Sequence, residues 1–251
     1  MVMISYDENV LLAQQEFELQ RYPLAVQFAS YALACNPEDP HACRILGMSL
    51  FELGQVDEAL DALEAASLEY PLGWDGQIAL AICYGAIGKR SLSRDLLMRC
   101  GTSGELDRDQ MLRVATGLEA IDEPTLAMEA CRQAGVLDPD SARVHYRMSY
   151  YSSLCRYPVS VTEALIKHAI NLEPDNIHYR VGLVSLLIRL DRDEEAIEAI
   201  ESFIPSHLDE ISCKCCLKRI ANLFFDAGDL DRARQAAQRR SELEPLVVPA
   251  S

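Results

Sequence analysis

Residues 40–73 read PHACRILGMSLFELGQVDEALDALEAASLEYPLG, and this stretch decides the fold. Gly54 follows a first helical pattern at the point where a tight left-handed turn would end that helix. The pattern that comes next is rich in small residues, among them Ala59 and Ala66, which let two helices approach closely. Pro71 closes the stretch because proline cannot continue a helix. Residues 40–73 therefore predict two helices packed as a hairpin.

The same pattern recurs along the chain with a period close to that of this stretch. Further helical patterns end in an acidic or polar residue and a proline; the prolines are Pro37, Pro71, Pro139, Pro174 and Pro245. Glu105 stands where one more such proline would fall, and Gly88 and Gly228 repeat the turn glycine. A fixed period of this length is typical of stacked repeats. The predicted repeats are residues 6–39, 40–73, 74–107, 108–141, 142–176, 177–210 and 211–245.

The period, the glycine turn, the Ala-rich second helix and the terminal Asp/Glu-Pro resemble the tetratricopeptide repeat. Residues 40–73 carry the best match, including Leu46-Gly47 in the first helix. The resemblance covers about residues 6 to 245. It implies an all-α fold, a right-handed α-solenoid superhelix of about seven helix-turn-helix repeats that form a single domain over residues 1–251.

Three repeats depart from this pattern. The third has Glu105 in place of proline and Ser93 in place of the usual alanine. The fifth has an enlarged turn at Cys155–Pro158, and the sixth ends irregularly at Phe203–Pro205. Sequence drift in tolerant loops explains such departures, and so does a bend or an opened seam in the superhelix.

The chain carries 39 acidic and 23 basic residues, a formal net charge of -16. Long-range repulsion therefore argues against nucleic acid as the principal ligand. Residues 1–141 contain 9 of the basic and 23 of the acidic residues, whereas residues 142–251 contain 14 and 16. The excess negative charge thus lies almost entirely in the first part of the chain.

Targeting signals are not evident in the sequence. Met1–Asn9 has no basic segment and no long apolar stretch, so no secretion signal is predicted. The longest apolar runs, such as Val181–Ile188, are far shorter than the roughly 20 residues of a membrane span. We therefore expect a soluble cytoplasmic protein whose nine cysteines are mostly reduced.

The strongest candidate for chemistry is Cys213-Lys214-Cys215-Cys216. Soft thiolates hold zinc or copper, but the spacing differs from the Cys-x-x-Cys pairs of structural zinc, and side chains at a helix start should point in different directions. Packing is the favoured interpretation, with metal binding and redox reactivity as alternatives. We therefore predict no metal and no cofactor. Five further cysteines are expected to lie in the core: Cys35, Cys43, Cys83, Cys100 and Cys131.

Other catalytic patterns are missing from the sequence. The five histidines form no HExxH or Ser/His/Asp arrangement, and no Gly-rich loop follows a strand. A protein without enzymatic activity is therefore expected.

In tetratricopeptide-repeat proteins the first helix of each repeat lines a concave groove, so the resemblance implies where a ligand would bind. The implied ligand-binding residues are Arg44, Arg143, Tyr146, Tyr150, His178, Lys218 and Asn222. Other side chains expected to face outward on these helices are Gln14, His41, Met48, Ile82 and Ser185. Arg, Lys and His together with two tyrosines suit an anionic group beside an apolar side chain.

Lys218 and Asn222 have the Lys-x-x-x-Asn spacing that opens the carboxylate clamp of some family members, but the early repeats lack the rest of that pattern, so no chaperone clamp is predicted. The sequence favours a non-enzymatic adaptor or scaffold that binds a protein or peptide segment in its groove. The alternatives are a self-assembling module, which would make the protein a homo-oligomer, and a metal or redox sensor at Cys213–Cys216.

Overall fold

The protein is described by a computed structural model over residues 5–243, and this part is helical without β-strands. Its contacts group it into an N-terminal unit, Met1–Pro139, and a C-terminal unit, Asp140–Ser251. The helices of the N-terminal unit are α1 Tyr6–Glu18, α2 Tyr22–Cys35, α3 Pro40–Glu52, α4 Val56–Glu69, α5 Trp74–Ala86, α6 Arg90–Gly101, α7 Arg108–Ala120 and α8 Pro124–Leu137. Those of the C-terminal unit are α9 Ala142–Leu154, α10 Val159–Leu172, α11 Ile177–Ile188, α12 Asp193–Ile200, α13 Pro205–Asp209, α14 Lys214–Asp226 and α15 Leu230–Glu242.

Within the described residues, each predicted repeat range except the sixth contains one pair of helices of 12 to 14 residues, whereas residues 177–210 contain α11, the shorter α12 and the five-residue α13. Pro245, predicted to close the seventh repeat, lies outside the described residues. The single domain over residues 1–251 and the right-handed superhelix stay predictions. No helix within residues 5–243 combines the length and apolar character needed to cross a membrane.

Side chains at the helix starts fix several boundaries. The Ser5 hydroxyl accepts a hydrogen bond from the backbone N–H of Glu8 at 3.3 Å, and the Glu8 carboxylate accepts one from the Ser5 N–H at 2.8 Å. The Asp39 carboxylate accepts a hydrogen bond from the N–H of Ala42 at 2.7 Å at the start of α3. Such caps satisfy N–H groups that have no partner inside the helix.

The turn within each helical pair contains one residue with a left-handed backbone conformation. These residues are Gln20, Gly54, Gly88, Asp122, Arg156, Asp191 and Gly228, with φ between 55° and 85°. The enlarged turn of the fifth repeat keeps this feature, since Arg156 has φ 59° although it is not glycine. The left-handed backbone conformation therefore recurs in each of these turns, whereas glycine occupies only some of the positions.

Close approach between paired helices explains the Leu-Gly pair of the second repeat. A Cβ atom placed on Gly47 of α3 would lie 2.7 Å from Cγ of Leu63 on α4. Leu63 is fully buried, and so are Ala59 and Ala29 in the same unit. Small residues at these points let the apolar faces of neighbouring helices close without voids.

The irregular end of the sixth repeat is packed into the C-terminal unit. Phe203 follows the short helix α12 and is 3% exposed, and Leu208 on α13 is 1% exposed. The Arg232 guanidinium donates a hydrogen bond at 2.7 Å to the backbone oxygen of Glu201. The irregular segment therefore belongs to the core of its unit.

Two expectations about side-chain placement were wrong. Met48, expected to face outward, is 5% exposed because α3 contacts α1, α2, α4 and α5 and has little free surface. Cys35, expected in the core, is exposed since it is the last residue of α2. The other four cysteines expected in the core are buried: Cys43, Cys83, Cys100 and Cys131.

Candidate functional site

The C-terminal unit contains a cavity of about 390 Å³ between α9, α10, α11 and the first turn of α14. Its polar lining consists of Tyr146, Ser149, Tyr150, Ser153, Thr162, Ser185, Arg189 and Cys216. Its apolar lining consists of Leu154, Ile166, Val181 and Leu186, with Gly182 between the helices. An apolar cavity with a few convergent polar groups is the usual form of a ligand site.

Tyr146 is the most firmly held of the predicted contact residues. Its ring packs against Tyr179 with 4.9 Å between the ring centroids. Its edge lies over Gly182, where a Cβ atom would be 2.6 Å from the Tyr146 hydroxyl oxygen. Burial is the main reason that the pKa of Tyr146 is raised above its usual value. Tyr146 is thus a pre-positioned wall of the cavity.

Tyr150 and Arg189 stand at the exposed part of the lining. Tyr150 lies one turn after Tyr146 on α9, is 43% exposed and packs against the Tyr151 ring at 5.3 Å. Arg189 follows the last residue of α11 and is exposed. It makes no ion pair with any residue in the range 5–243. The cavity therefore presents aromatic surface beside a guanidinium that is available to an anion.

The other predicted contacts of this unit do not line the cavity. Arg143 on α9, His178 on α11 and Lys218 on α14 are exposed, and Asn222 on α14 is exposed as well. Lys218 follows Cys216 by two residues, which corresponds to about 200° of rotation around an α-helix. For that reason the first turn of α14 presents Cys216 to the cavity and Lys218 to a different side.

Arg44, the predicted contact of the early repeats, belongs to a separate cavity of about 390 Å³ in the N-terminal unit. Its guanidinium donates a hydrogen bond to Gln14 Oε1 at 3.1 Å, which joins α3 to α1. His41 lines the same cavity, and so do the acidic side chains of Asp7 and Asp39. The structure therefore separates Arg44 from Tyr146 and Tyr150 into different units.

The three cysteines at the start of α14 converge, contrary to the expectation that they would point in different directions. The sulfur atoms of Cys213, Cys215 and Cys216 all lie within 4.8 Å of one another. Cys213 Sγ lies 2.7 Å from Cys215 Sγ. Cys213 is the N-cap of α14, with an extended backbone at φ -88° and ψ 109°. The extended backbone of Cys213, which lies outside the helical geometry, places its sulfur beside the other two.

Because the three sulfur atoms lie close together, the pKa values of Cys213 and Cys216 shift in opposite directions. Burial opposes ionisation of Cys213, but hydrogen bonds from the side chains and backbone N–H groups of Cys215 and Cys216 outweigh it and lower its pKa to about 7. Burial and the Cys213 sulfur raise the pKa of Cys216 to about 12. Cys216 Sγ also lies 3.9 Å from the Ser185 hydroxyl oxygen. These three cysteines, the thiol cluster, therefore adjoin the cavity through Cys216.

Sequence reasoning missed Arg189, Thr162 and Cys216 as parts of the lining. Arg189 lies just after a first helix, and Thr162 lies on a second helix, so a search restricted to first helices passes over both. For Cys216 a signal was present, since it precedes the buried Ile220 by four residues and so lies on the same inward side of α14.

The comparisons with known proteins concern both sequence and fold. A sequence-family model described as "Tetratricopeptide repeat" matches residues 46–88. A tetratricopeptide repeat protein from Parabacteroides merdae has a similar structure over 96% of this chain and 94% of its own, with 11% identity and a TM-score of 0.70. TTC0263, a TPR protein of Thermus thermophilus, is similar over 73% of this chain and 100% of its own, with 21% identity and a TM-score of 0.54.

YrrB, described as a TPR protein with an unusual peptide-binding site, is similar over 71% of this chain and 91% of its own, with 16% identity and a TM-score of 0.56. No protein with curated annotation matches the sequence significantly. At these identities the solved structures establish the fold alone.

The fold defines a class, the all-helical repeat proteins of the α-solenoid type. The predicted resemblance to the tetratricopeptide repeat is confirmed: a sequence model of that repeat matches residues 46–88, and the fold is similar to that of solved tetratricopeptide-repeat proteins.

Proposed function

We propose that the protein is a non-enzymatic adaptor that binds a peptide segment of another protein in the cavity of its C-terminal unit. The observation that carries the proposal is that Tyr146, Tyr150 and Arg189 surround one apolar cavity. Aromatic side chains and arginine dominate the energetics of peptide and protein recognition. The unusual peptide-binding site described for YrrB belongs to that protein, and it makes peptide binding a reasonable use of this fold.

The lining indicates the chemistry of the bound segment. A leucine-sized or aromatic side chain suits the cavity between Leu154, Ile166 and Val181. A carboxylate next to that side chain would pair with Arg189, since guanidinium groups bind carboxylates through two parallel hydrogen bonds. The proposed ligand is therefore a segment with an apolar residue adjacent to a carboxylate, such as a free C-terminus.

A display library of peptides with free C-termini tests this proposal on the full chain. The tightest binder is synthesised with a fluorescent label at its N-terminus, once as the free acid and once as the C-terminal amide, and affinities are measured by anisotropy. We expect amidation and Arg189→Glu each to weaken binding about tenfold or more, because a charge-assisted pair contributes about 1.5–3 kcal/mol. Tyr150→Ala should also weaken binding.

The matched control is Tyr157→Ala, because Tyr157 is an exposed tyrosine, at 49%, that does not line the cavity. It should leave the affinity unchanged. Equal affinity for the acid and the amide, together with unchanged binding by Arg189→Glu, would reject the assignment. Light scattering on the same samples reports self-assembly, and an oligomer that no library peptide binds would favour the self-assembling alternative instead.

A further inference from the structure

The thiol cluster is the one group of three or more metal-binding side chains that converge among residues 5–243. Its three sulfur atoms lie within 4.8 Å of one another. Two sulfurs bound to one first-row metal ion at about 2.3 Å lie at most about 4.6 Å apart. The three sulfurs therefore lie near enough to share one ion, and rotations about the Cα–Cβ bonds would separate Cys213 Sγ from Cys215 Sγ, now 2.7 Å apart, to the wider spacing that the ion requires.

We propose that Cys213, Cys215 and Cys216 bind one monovalent copper ion, Cu(I), through their three sulfur atoms. Thiolates are soft ligands that select Cu(I), zinc and iron–sulfur clusters. Structural zinc takes four protein ligands, and no fourth His, Cys, Asp or Glu side chain joins this group in the described residues. Cu(I), a closed-shell ion, accepts three sulfur ligands, so the donor set fits it better than zinc.

The surroundings accommodate the charge of such a complex. Binding releases a proton from each thiol and leaves three thiolates around one positive ion, a net charge of minus two. The sulfurs lie over the first turn of α14, a helix of 13 residues, whose N-terminal end favours negative charge. Exposed Lys214 lies between two of the ligands in sequence. Both features lower the electrostatic free energy that is needed to hold three thiolates close together.

An ion bound at the thiol cluster would be accessible from solvent. Cys215 is exposed, whereas Cys213 and Cys216 are half-buried. Cys216 also lines the cavity of the C-terminal unit. A bound ion would thus lie at the edge of that cavity, and its binding does not depend on whether the cavity takes a peptide.

The test is an anaerobic titration of the fully reduced full chain with Cu(I) in the presence of the chromogenic chelator bicinchoninate. The chelator reports how much copper the protein withholds. We expect one Cu(I) per chain to be withheld, with ultraviolet thiolate-to-copper absorption. X-ray absorption spectroscopy on the loaded protein should count three sulfur neighbours around the copper.

Single serine variants identify the ligands. Cys213→Ser, Cys215→Ser and Cys216→Ser should each lower Cu(I) affinity by at least about tenfold, since each removes one donor. Cys213→Ser keeps a good N-cap residue, so α14 should still begin at Lys214. The matched controls are Cys35→Ser, which removes an exposed thiol, and Cys155→Ser, which removes a half-buried one outside the cluster. Both should retain wild-type affinity.

Three results would overturn the proposal. One is copper retention that Cys213→Ser leaves unchanged or that Cys35→Ser abolishes. Another is a spectrum with four donors around the ion. The third is stoichiometric binding of Zn(II) that excess Cu(I) does not displace, which would assign the cluster to zinc.

Discussion

The ring of Tyr146 lies directly over Gly182, so that a Cβ atom at Gly182 would be 2.6 Å from both Cε2 and the hydroxyl oxygen of the tyrosine. Real Cβ atoms do not approach other heavy atoms so closely, and the Tyr146 ring also packs against that of Tyr179, with 4.9 Å between the ring centroids. Gly182 therefore sets the position of a tyrosine that forms one wall of the cavity.

Gly182→Ala should displace Tyr146 and narrow the cavity. We expect peptide binding to weaken at least about tenfold and stability to fall by about 1–3 kcal/mol, the usual cost of overpacking. Anisotropy and urea unfolding measure the two effects. The control is Gly101→Ala, where the new Cβ would meet Val114 at 3.5 Å, an ordinary contact. Wild-type affinity in Gly182→Ala would show that Tyr146 does not shape the ligand site.

The turn residues allow a reciprocal pair of substitutions. Gly54 has φ 75°, and a Cβ atom added there would meet no other atom within 4 Å, so Gly54→Ala changes backbone strain alone and should destabilise the protein by about 1 kcal/mol. Arg156 has φ 59°, and Arg156→Gly should stabilise it by about 0.5 kcal/mol, because relief of strain exceeds the entropy cost of glycine. Thermal unfolding of each variant measures whether its stability falls or rises relative to wild type. Destabilisation by Arg156→Gly would mean that its side chain contributes more than its backbone costs.

Glu163 on α10 should make stability depend on pH. Hydrogen bonds from Arg192, at 2.6 Å, and from Lys167 lower the pKa of Glu163 from 4.5 to about 2. A depressed carboxyl pKa stabilises the folded state fully above pH 4.5, and the contribution disappears as the pH falls towards about 2. Glu163→Gln should therefore lower stability by about 1 kcal/mol at neutral pH, a value that allows for the partial exposure of Arg192.

Urea unfolding of both proteins across this pH range measures the effect. The difference between wild type and Glu163→Gln should shrink below pH 4.5 and vanish near pH 2. Glu129→Gln is a suitable control because Glu129 pairs with Arg132 at the surface, where its side chain is 51% exposed, and that change should cost little. A difference that stays constant down to pH 2 would contradict the assigned role of the carboxylate.

Cys213 should react earlier than the buried thiols as the pH rises. Its pKa of about 7 implies a half-maximal alkylation rate near neutral pH, since the thiolate is the reacting form. Burial raises the pKa of Cys83 to about 11, so Cys83 should remain unlabelled under the same conditions. Iodoacetamide labelling of the reduced protein, followed by peptide mass spectrometry, resolves the two sites. A Cys213 rate that rises only above about pH 8.5, the ordinary thiol value, would contradict the hydrogen-bonded cluster.

The sequence predicted helical pairs well because proline and small residues mark their ends and contacts. Left-handed turns could be predicted only where glycine occupies them, as at Gly54; Arg156 adopts the same backbone conformation without that signal. We attribute the left-handed conformation of Arg156 to the packing of the helices on either side of its turn. The local sequence does not encode that packing.

The candidate site was predictable only in part. Tyr146 and Tyr150 follow from their places on a first helix, but the burial of Met48 depends on how several helices pack around α3. The convergence of the thiols depends on the non-helical backbone of Cys213. Angles calculated for a regular helix miss it, because the N-cap residue lies outside the helical geometry.

The measurement that tests the central claim most directly is site-specific photo-crosslinking. Benzoylphenylalanine replaces either Tyr150 or Tyr157, both of which are exposed tyrosines. Each protein is irradiated with the selected peptide under conditions in which it is bound. A peptide in the cavity of the C-terminal unit crosslinks efficiently from Tyr150's position and not from that of Tyr157. Crosslinking from the Tyr157 position alone, or none from the Tyr150 position in a protein that still binds the peptide, would place the ligand elsewhere and contradict the account.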